Sequence, residues 1–383
     1  MGLQIRAIQQ EEAGTWDDYV NKHPQATLYH LYGWRNVIEK TYGHKTYYLA
    51  AINPRNSTDS SNPINPIVGL LPLVHLKHFI FGNSLISMPF FDLGGILAND
   101  EETEQALLLQ AIKLGQTLKS SILELRHPHP LACLNLTNPT NSTNSINSSN
   151  SSNPINPTNS VTIVSRSHKS RMLLDLPESS ETLMNSFKSK LRSQIKKPMK
   201  EGLVVKIGGN ELLKDFYSVF SINMRELGSP VHSDKLMRNA LNEFPDPARL
   251  VVVYGRNNPM ACSLIIDFQG ILENPWASAL REYSRLSPNM LLYWSMLKYA
   301  CDHGLKQFDF GRSTPGEGTY KFKGQWGAKP VPLHWDYISM KGHGIDIVPN
   351  EKTRFESLVK YWQRLPVPLT QRIGPMIRKH IGL

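Results

Sequence analysis

The sequence predicts an α/β protein with two lobes in tandem, and three observations carry that expectation. The chain has 383 residues, more than one hydrophobic core usually spans before a chain divides into domains. Strand-like and helix-like segments alternate along it. One order of elements, three strands, a helix and a strand, occurs twice. In the first half KTYYLAAI, IVGLLPLVHL and SLISMPFFDLGGIL precede an amphipathic helix over 101–119, and ILELRHP follows. In the second half LVVVYG, ACSLIIDF and GILENPWASAL precede a helix over 288–303, and KQFDFGRS follows. β-Branched and aromatic residues bounded by Gly, Pro and Asn mark the strands, whereas apolar residues three and four apart mark the helices. A duplicated unit with mixed sheets is the economical account.

On this reading an N-terminal lobe spans 1–176, a C-terminal lobe carrying the site spans 177–345, and a basic helix and tail span 346–383. Two stretches near 54–66 and 135–160 interrupt the first lobe. The second is almost wholly Asn, Ser, Thr and Pro, a composition with too little apolar surface to order itself. Both are read as disordered insertions at exposed loops.

Composition narrows the function. A net charge of +10 favours anionic partners such as phosphates, RNA or an anionic membrane surface. Cys133, Cys262 and Cys301 are far apart and form no CxxC pair, so neither a disulfide framework nor a zinc knuckle is expected. His127 and His129 lack nearby carboxylates or thiols at ligand spacing, so no metal is expected. The N-terminus has no apolar leader and no later run reaches the roughly 18 to 20 apolar residues of a membrane span; a cytoplasmic protein is expected. A helix over 180–201 places Leu183, Phe187, Leu191 and Ile195 on one stripe and Lys188, Lys190, Arg192, Lys196, Lys197 and Lys200 on the other face, either to grip phosphate or to meet solvent. No aromatic residues interleave with these cations, which argues against nucleic-acid binding, and no DNA partner is expected. The stretch 353–383 mixes Leu358 and Trp362 with Lys360, Arg364, Arg372 and Arg378. It either rests peripherally on an anionic membrane or docks on the second lobe.

The densest chemistry lies in 276–335. Ser287 is placed to cap a helix with Pro288 at its first position and Asn289 next, so that free N–H groups meet an anion. After the strand KQFDF, the segment GRSTPGEGTYKFKGQWG crowds glycines, two lysines, an arginine and a tyrosine into one turn, where buried strands commonly deliver functional side chains. It fits neither a Walker A loop nor a dinucleotide fingerprint.

These segments, SPNMLLYWSMLKYACDHGLKQFDFGRSTPGEGTYKFKGQWGA above all, together with KLRSQIKKPMKEGL, MRELGSPVHS and SMPFFDLGGILA, resemble the FemAB-like proteins of the GNAT superfamily. The subgroup found with exosortase and PEP-CTERM exopolysaccharide systems is the nearest in pattern. The resemblance implies tandem GNAT-like acyltransferase lobes and transfer of an acyl or aminoacyl group to an amine-bearing saccharide or peptide precursor of the envelope. It implies acyl-CoA or aminoacyl-tRNA as co-substrate and no tightly bound cofactor. The family's Gly-rich turn falls on Phe322 and Lys323, which places Lys323 near the transferred group.

Amide formation needs a neutral amine, charge stabilisation in the tetrahedral intermediate and a proton for the leaving group. Lys323, Tyr320, Glu317 and Asp309 are the catalytic candidates. Arg312, Ser313, Glu282, Tyr283, Ser287, Asn289 and, in the first lobe, Asp92 are the candidates for holding substrate. The alternative is a protein of the same fold that binds a phosphorylated saccharide or lipid precursor without turnover.

Overall fold

The computed structural model describes residues 3–53, 66–135, 144–146, 161–340 and 351–382, so most of the two expected insertions lies outside the described residues. The chain separates into two compact units. One comprises Met1–His168, Pro332–Pro349 and His380–Leu383, and the other Lys169–Val331 and Asn350–Lys379. The division differs from the expected 176 and 345 because of sheet pairing. Ser170–Asp175 pairs with Gln307–Ser313 in the second sheet, whereas His334–Ser339 pairs with Ile122–His127 in the first.

Among the described residues the first unit is a nine-stranded mixed sheet. Its repeat consists of Lys45–Ile52, Ile67–His78 and Gly82–Ile86 in antiparallel succession, then helix Glu101–Thr117, then Ile122–His127 running parallel to Gly82–Ile86. The helix begins where Asp100 accepts a hydrogen bond from the Thr103 N–H, and it buries Leu107, Leu108, Ala111 and Ile112 on one face. Inside the stretch read as an insertion, Asn144–Ile146 pairs with Val161–Arg166.

The second unit is a seven-stranded mixed sheet. Ala248–Gly255, Asn258–Phe268 and Ile271–Ala279 are antiparallel, helix Pro288–Asp302 crosses over, and Gln307–Ser313 returns parallel to Ile271–Ala279. The duplicated order of elements is therefore realised, strand for strand and helix for helix. Helix Pro288–Asp302 buries residues around most of its circumference, including Leu291, Leu292, Trp294, Met296 and Leu297, as a helix inside a core must.

The helix expected over 180–201 is two helices, Ser180–Ser186 and Ser189–Lys200, because Phe187 is extended (ψ 147°) and turns its ring into the core. Leu183, Phe187, Leu191 and Ile195 still form the buried stripe. Lys188, Lys190, Lys196, Lys197 and Lys200 are exposed, which is the solvated alternative. Pro198 falls in the last turn, so the helix closes two residues later rather than kinking.

Of the two alternatives for the tail, docking is what its helices show. Glu351–Arg364 and Val367–Arg378 pack on helix Leu213–Leu227 of the same unit. Gln363 Nε2 donates to the Glu226 carbonyl (3.0 Å), Gln371 Nε2 to Ser221 Oγ (2.8 Å) and Arg378 Nε to His232 Nε2 (3.1 Å). Burial first, and Arg378 second, hold His232 well below its ordinary pKa, so it accepts as a neutral ring. Gly228 ends the supporting helix at φ +75°, and a Cβ there would meet Val359 at 2.3 Å. The contact requires glycine.

Candidate active site

In both units the parallel pairing is short. It spans Ser84, Leu85 and Ile86 against Ile122, Leu123 and Glu124 in one, and Ile271, Leu272 and Glu273 against Gln307, Phe308 and Asp309 in the other. Beyond it the ladder stops for reasons visible in the residues. Pro275 has no N–H to donate, and on the facing strand the register slips between Asp309 and Arg312, where Gly311 takes φ +74°.

In the first unit the chain itself fills the notch. Residues 87–96 leave the sheet after Ile86, because Met88 (φ +48°) and Phe90 (φ +78°) turn back on either side of Pro89. Ser87 N donates to the Glu124 carbonyl and Gly95 N to the Arg126 carbonyl, both near 2.8–2.9 Å. Arg126 donates to the Phe91 carbonyl, and Phe91 stacks on Tyr29 at 4.6 Å. Asp92 is thus on a turn and not on the expected strand, and its carbonyl accepts from Trp335 Nε1 (3.2 Å). Gly95 serves close packing: a Cβ there would meet His127 at 2.3 Å.

In the second unit a cavity of about 510 Å³ opens beside residues 277–280. Leu280 N donates to Met260 O (2.9 Å), so alternation along the strand turns the N–H groups of Ala277 and Ala279 toward the edge that Gln307–Ser313 has left. The Ala279 carbonyl on that side accepts from Asn223 Nδ2 (3.1 Å). Met290, Tyr293 and Phe322 form an apolar wall, with the Tyr293 and Phe322 rings 5.0 Å apart edge to face. Burial pushes the Tyr293 hydroxyl up to about 12, against the opposing effect of its bond with Asn274. It stays protonated at neutral pH. Ser287, Pro288 and Asn289 bring the start of helix Pro288–Asp302 into the lining, and Arg281 adds an exposed guanidinium.

Ser287 does not cap as expected. Its backbone is left-handed (φ +57°), not the extended form that a capping side chain needs, and its hydroxyl makes no cap bond. A non-glycine residue in this region costs roughly 1–2 kcal/mol. Met290 N bonds back to the Ser287 carbonyl (3.0 Å).

Of the residues singled out by sequence, the cavity brings together Ser287, Asn289 and Lys323. Lys323 is 7% exposed, and its ammonium donates to the carbonyls of Gly311 (3.1 Å) and Arg312 (2.8 Å), tying helix Gly318–Gly324 to the end of the strand. Asp309 lies elsewhere. It is buried and met by Arg171, which donates to it through Nε (2.8 Å) and Nη2 (2.7 Å), and by the Gly311 N–H at 2.8 Å. Glu317 is exposed directly before the lining residue Gly318, and Tyr320 is half-buried against the core. Arg312 is half-buried, and Ser313 is buried with its hydroxyl unpaired among the described residues. Glu282 is exposed, and its hydrogen bond raises the Tyr283 pKa. None of these lines the cavity.

Asn223, Arg281 and the edge amides of Ala277 and Ala279 escaped the sequence reading. Small residues following a proline in a strand were the available signal. No Asp, Glu or His is among the lining residues.

Residues 185–324 match the family model described as an acetyltransferase (GNAT) domain, a stretch that contains all of this lining. No curated protein matches the chain by sequence. Among solved structures, FemX is similar at 16% identity and a TM-score of 0.61, over 87% of this chain and 96% of that one. The C-terminal domain of a candidate lysylphosphatidylglycerol synthetase from Agrobacterium fabrum is similar at 10% identity and a TM-score of 0.54, over 88% and 93%. L-PGS from Bacillus licheniformis gives 10% and 0.52, over 94% and 99%. At these identities the likeness establishes the fold. The chain is an α/β protein of two units that share one order of elements, and the match to a GNAT domain lies in its C-terminal half.

Proposed function

We propose that the second unit is an N-acyltransferase that moves an acyl or aminoacyl group from a phosphate-bearing donor to an amine. The observation that carries this reading is the cleft beside 277–280, where a strand keeps unpaired edge amides next to the start of a fifteen-residue helix. The edge N–H groups of Ala277 and Ala279 suit the donor's carbonyl oxygen, whose charge grows as the amine adds. The helix start, with Arg281, suits the donor's phosphate. The amine nitrogen forms a bond to the carbonyl carbon, the tetrahedral intermediate collapses, and the bond to the thiol or hydroxyl leaving group breaks. One amine proton passes through an exposed carboxylate to solvent, and the leaving group takes one up.

Acyl-CoA and aminoacyl-tRNA both meet this description of the donor. For the acceptor, an amine-bearing saccharide or peptide of envelope or exopolysaccharide assembly rests on the family likeness alone, as does the link to exosortase systems. Lys323 is assigned to the cavity floor, with Glu317 and Glu282, adjacent in the chain to the lining residues Gly318 and Arg281, as exposed carboxylates for the departing amine proton.

A second reading is favoured by one observation, the lack of any carboxylate or imidazole in the lining: the cavity binds a phosphorylated precursor without turnover. Incubation with acetyl-CoA or a charged tRNA and a panel of amino sugars, amino acids and peptides separates the two. Amine-dependent release of thiol or tRNA is expected. Saturable donor binding with no release under any acceptor would replace catalysis by binding.

A further inference from the structure

Among the described residues of the first unit, the most exposed large apolar side chains lie together at one hairpin tip. Strands Ile67–His78 and Gly82–Ile86 are joined through Phe79, Ile80 and Phe81, which are 90%, 68% and 43% exposed. Scattered surface apolar residues are ordinary, but three in a row on a protruding turn mark a contact surface. Phe81 stacks on His380 at 5.7 Å, but Phe79 and Ile80 are left mostly to solvent, where a turn of this kind is satisfied by small polar residues.

The surroundings choose the partner. Residues 75–84, HLKHFIFGNS, contain no carboxylate. Lys77 is exposed on the hairpin, and Lys45, also exposed, lies on the adjoining strand in register with His75. Asn83 at the hairpin base donates to the carbonyls of Leu118 (3.0 Å) and Lys119 (2.8 Å), which brings a third exposed lysine to the same end. The His78 ring packs between Phe79 (4.6 Å) and His380 (4.1 Å), and so stiffens the tip. An apolar point ringed by cations is the pattern of a side chain cluster that enters the acyl boundary of a bilayer while its lysines meet anionic headgroups.

We propose that residues 77–81 form an interfacial anchor for an anionic lipid bilayer. Among the described residues no helix is long and apolar enough to cross a membrane, so the contact is peripheral. The proposal is independent of the reaction assigned to the second unit, and it places the contact on a different element from the tail.

Sedimentation of the full-length chain with phosphatidylcholine vesicles, with and without phosphatidylglycerol, tests it. The wild type is expected to partition onto the mixed vesicles and weakly onto neutral ones, with the difference shrinking as salt rises. F79S/I80S should partition about tenfold less or lower still at an unchanged melting temperature, because the substituted side chains touch solvent. F79W should shift its emission to the blue on mixed vesicles and be quenched by brominated lipid. Absence of wild-type binding, or equal partitioning of F79S/I80S, would overturn the proposal. So would a change of oligomeric state in F79S/I80S without lipid, which would identify the tip as a protein interface.

Discussion

Asp309→Ala is expected to destabilise the second unit by about 3–5 kcal/mol, the cost of breaking a buried ion pair by removing one partner. Asp309 is 4% exposed and Arg171 is 8% exposed, and the carboxylate also accepts the Gly311 N–H. Its strand lies between Ile271–Ala279 and Ser170–Asp175, and both side chains are a tenth exposed or less, so little water is at hand to replace the lost carboxylate. The loss should appear in urea unfolding as a lower midpoint at unchanged slope. Replacing both partners with leucine should recover much of it, since the penalty belongs to the unpaired charge. A midpoint within error of wild type for Asp309→Ala would show that the pair is solvated, and would return Asp309 to the list of chemical candidates.

Lys323→Ala should lower kcat/KM by about 10²-fold or more, in line with misplacement of the cavity lining that the lysine holds. It should also lower the melting temperature, because the ammonium ties helix Gly318–Gly324 to the carbonyls of Gly311 and Arg312. Lys321 is exposed two positions away, and Lys321→Ala controls for loss of basic charge with little change expected in either quantity. Lys323→Arg should not restore activity, since a guanidinium needs more room than the buried ammonium occupies. Wild-type turnover in Lys323→Ala, at whatever melting temperature, would leave the lysine with a purely structural role.

Much of the fold was legible because period and punctuation agree along the chain. The strands around KTYYLAAI and LVVVYG, the helix opened by Asp100 and the helix opened by Pro288 are all where pattern placed them. What pattern did not reveal was long-range pairing. Nothing local in SRMLLD or HWDYIS says which sheet each strand joins, and the unit boundaries depend on that choice. Phe187 read as one more residue of a helical stripe, yet burying its ring required breaking the helix.

The site was legible in part for a related reason. Chemistry-bearing residue types drew attention to Asp309, Glu317, Tyr320 and Arg312, whereas the cavity is made mostly of backbone edge and small or apolar side chains. Asp309 alternates with Phe308 and Phe310, and alternation alone could not say that a strand covered on both faces would meet its charge with Arg171. Ala277 and Ala279 carry no chemistry in their side chains, and the value of their amides appears only once the neighbouring strand is seen to leave.

The account rests on donor binding in the cleft beside 277–280, and native mass spectrometry of the freshly purified full-length chain tests that most directly. Ala279→Trp places an indole among Met290, Tyr293 and Phe322 and fills the cavity. The wild type is expected to retain, or to take up on addition, a CoA ester or charged tRNA as a resolved mass increment that Ala279→Trp lacks at a matched melting temperature. A donor increment of equal occupancy in Ala279→Trp would place the donor elsewhere and contradict the account.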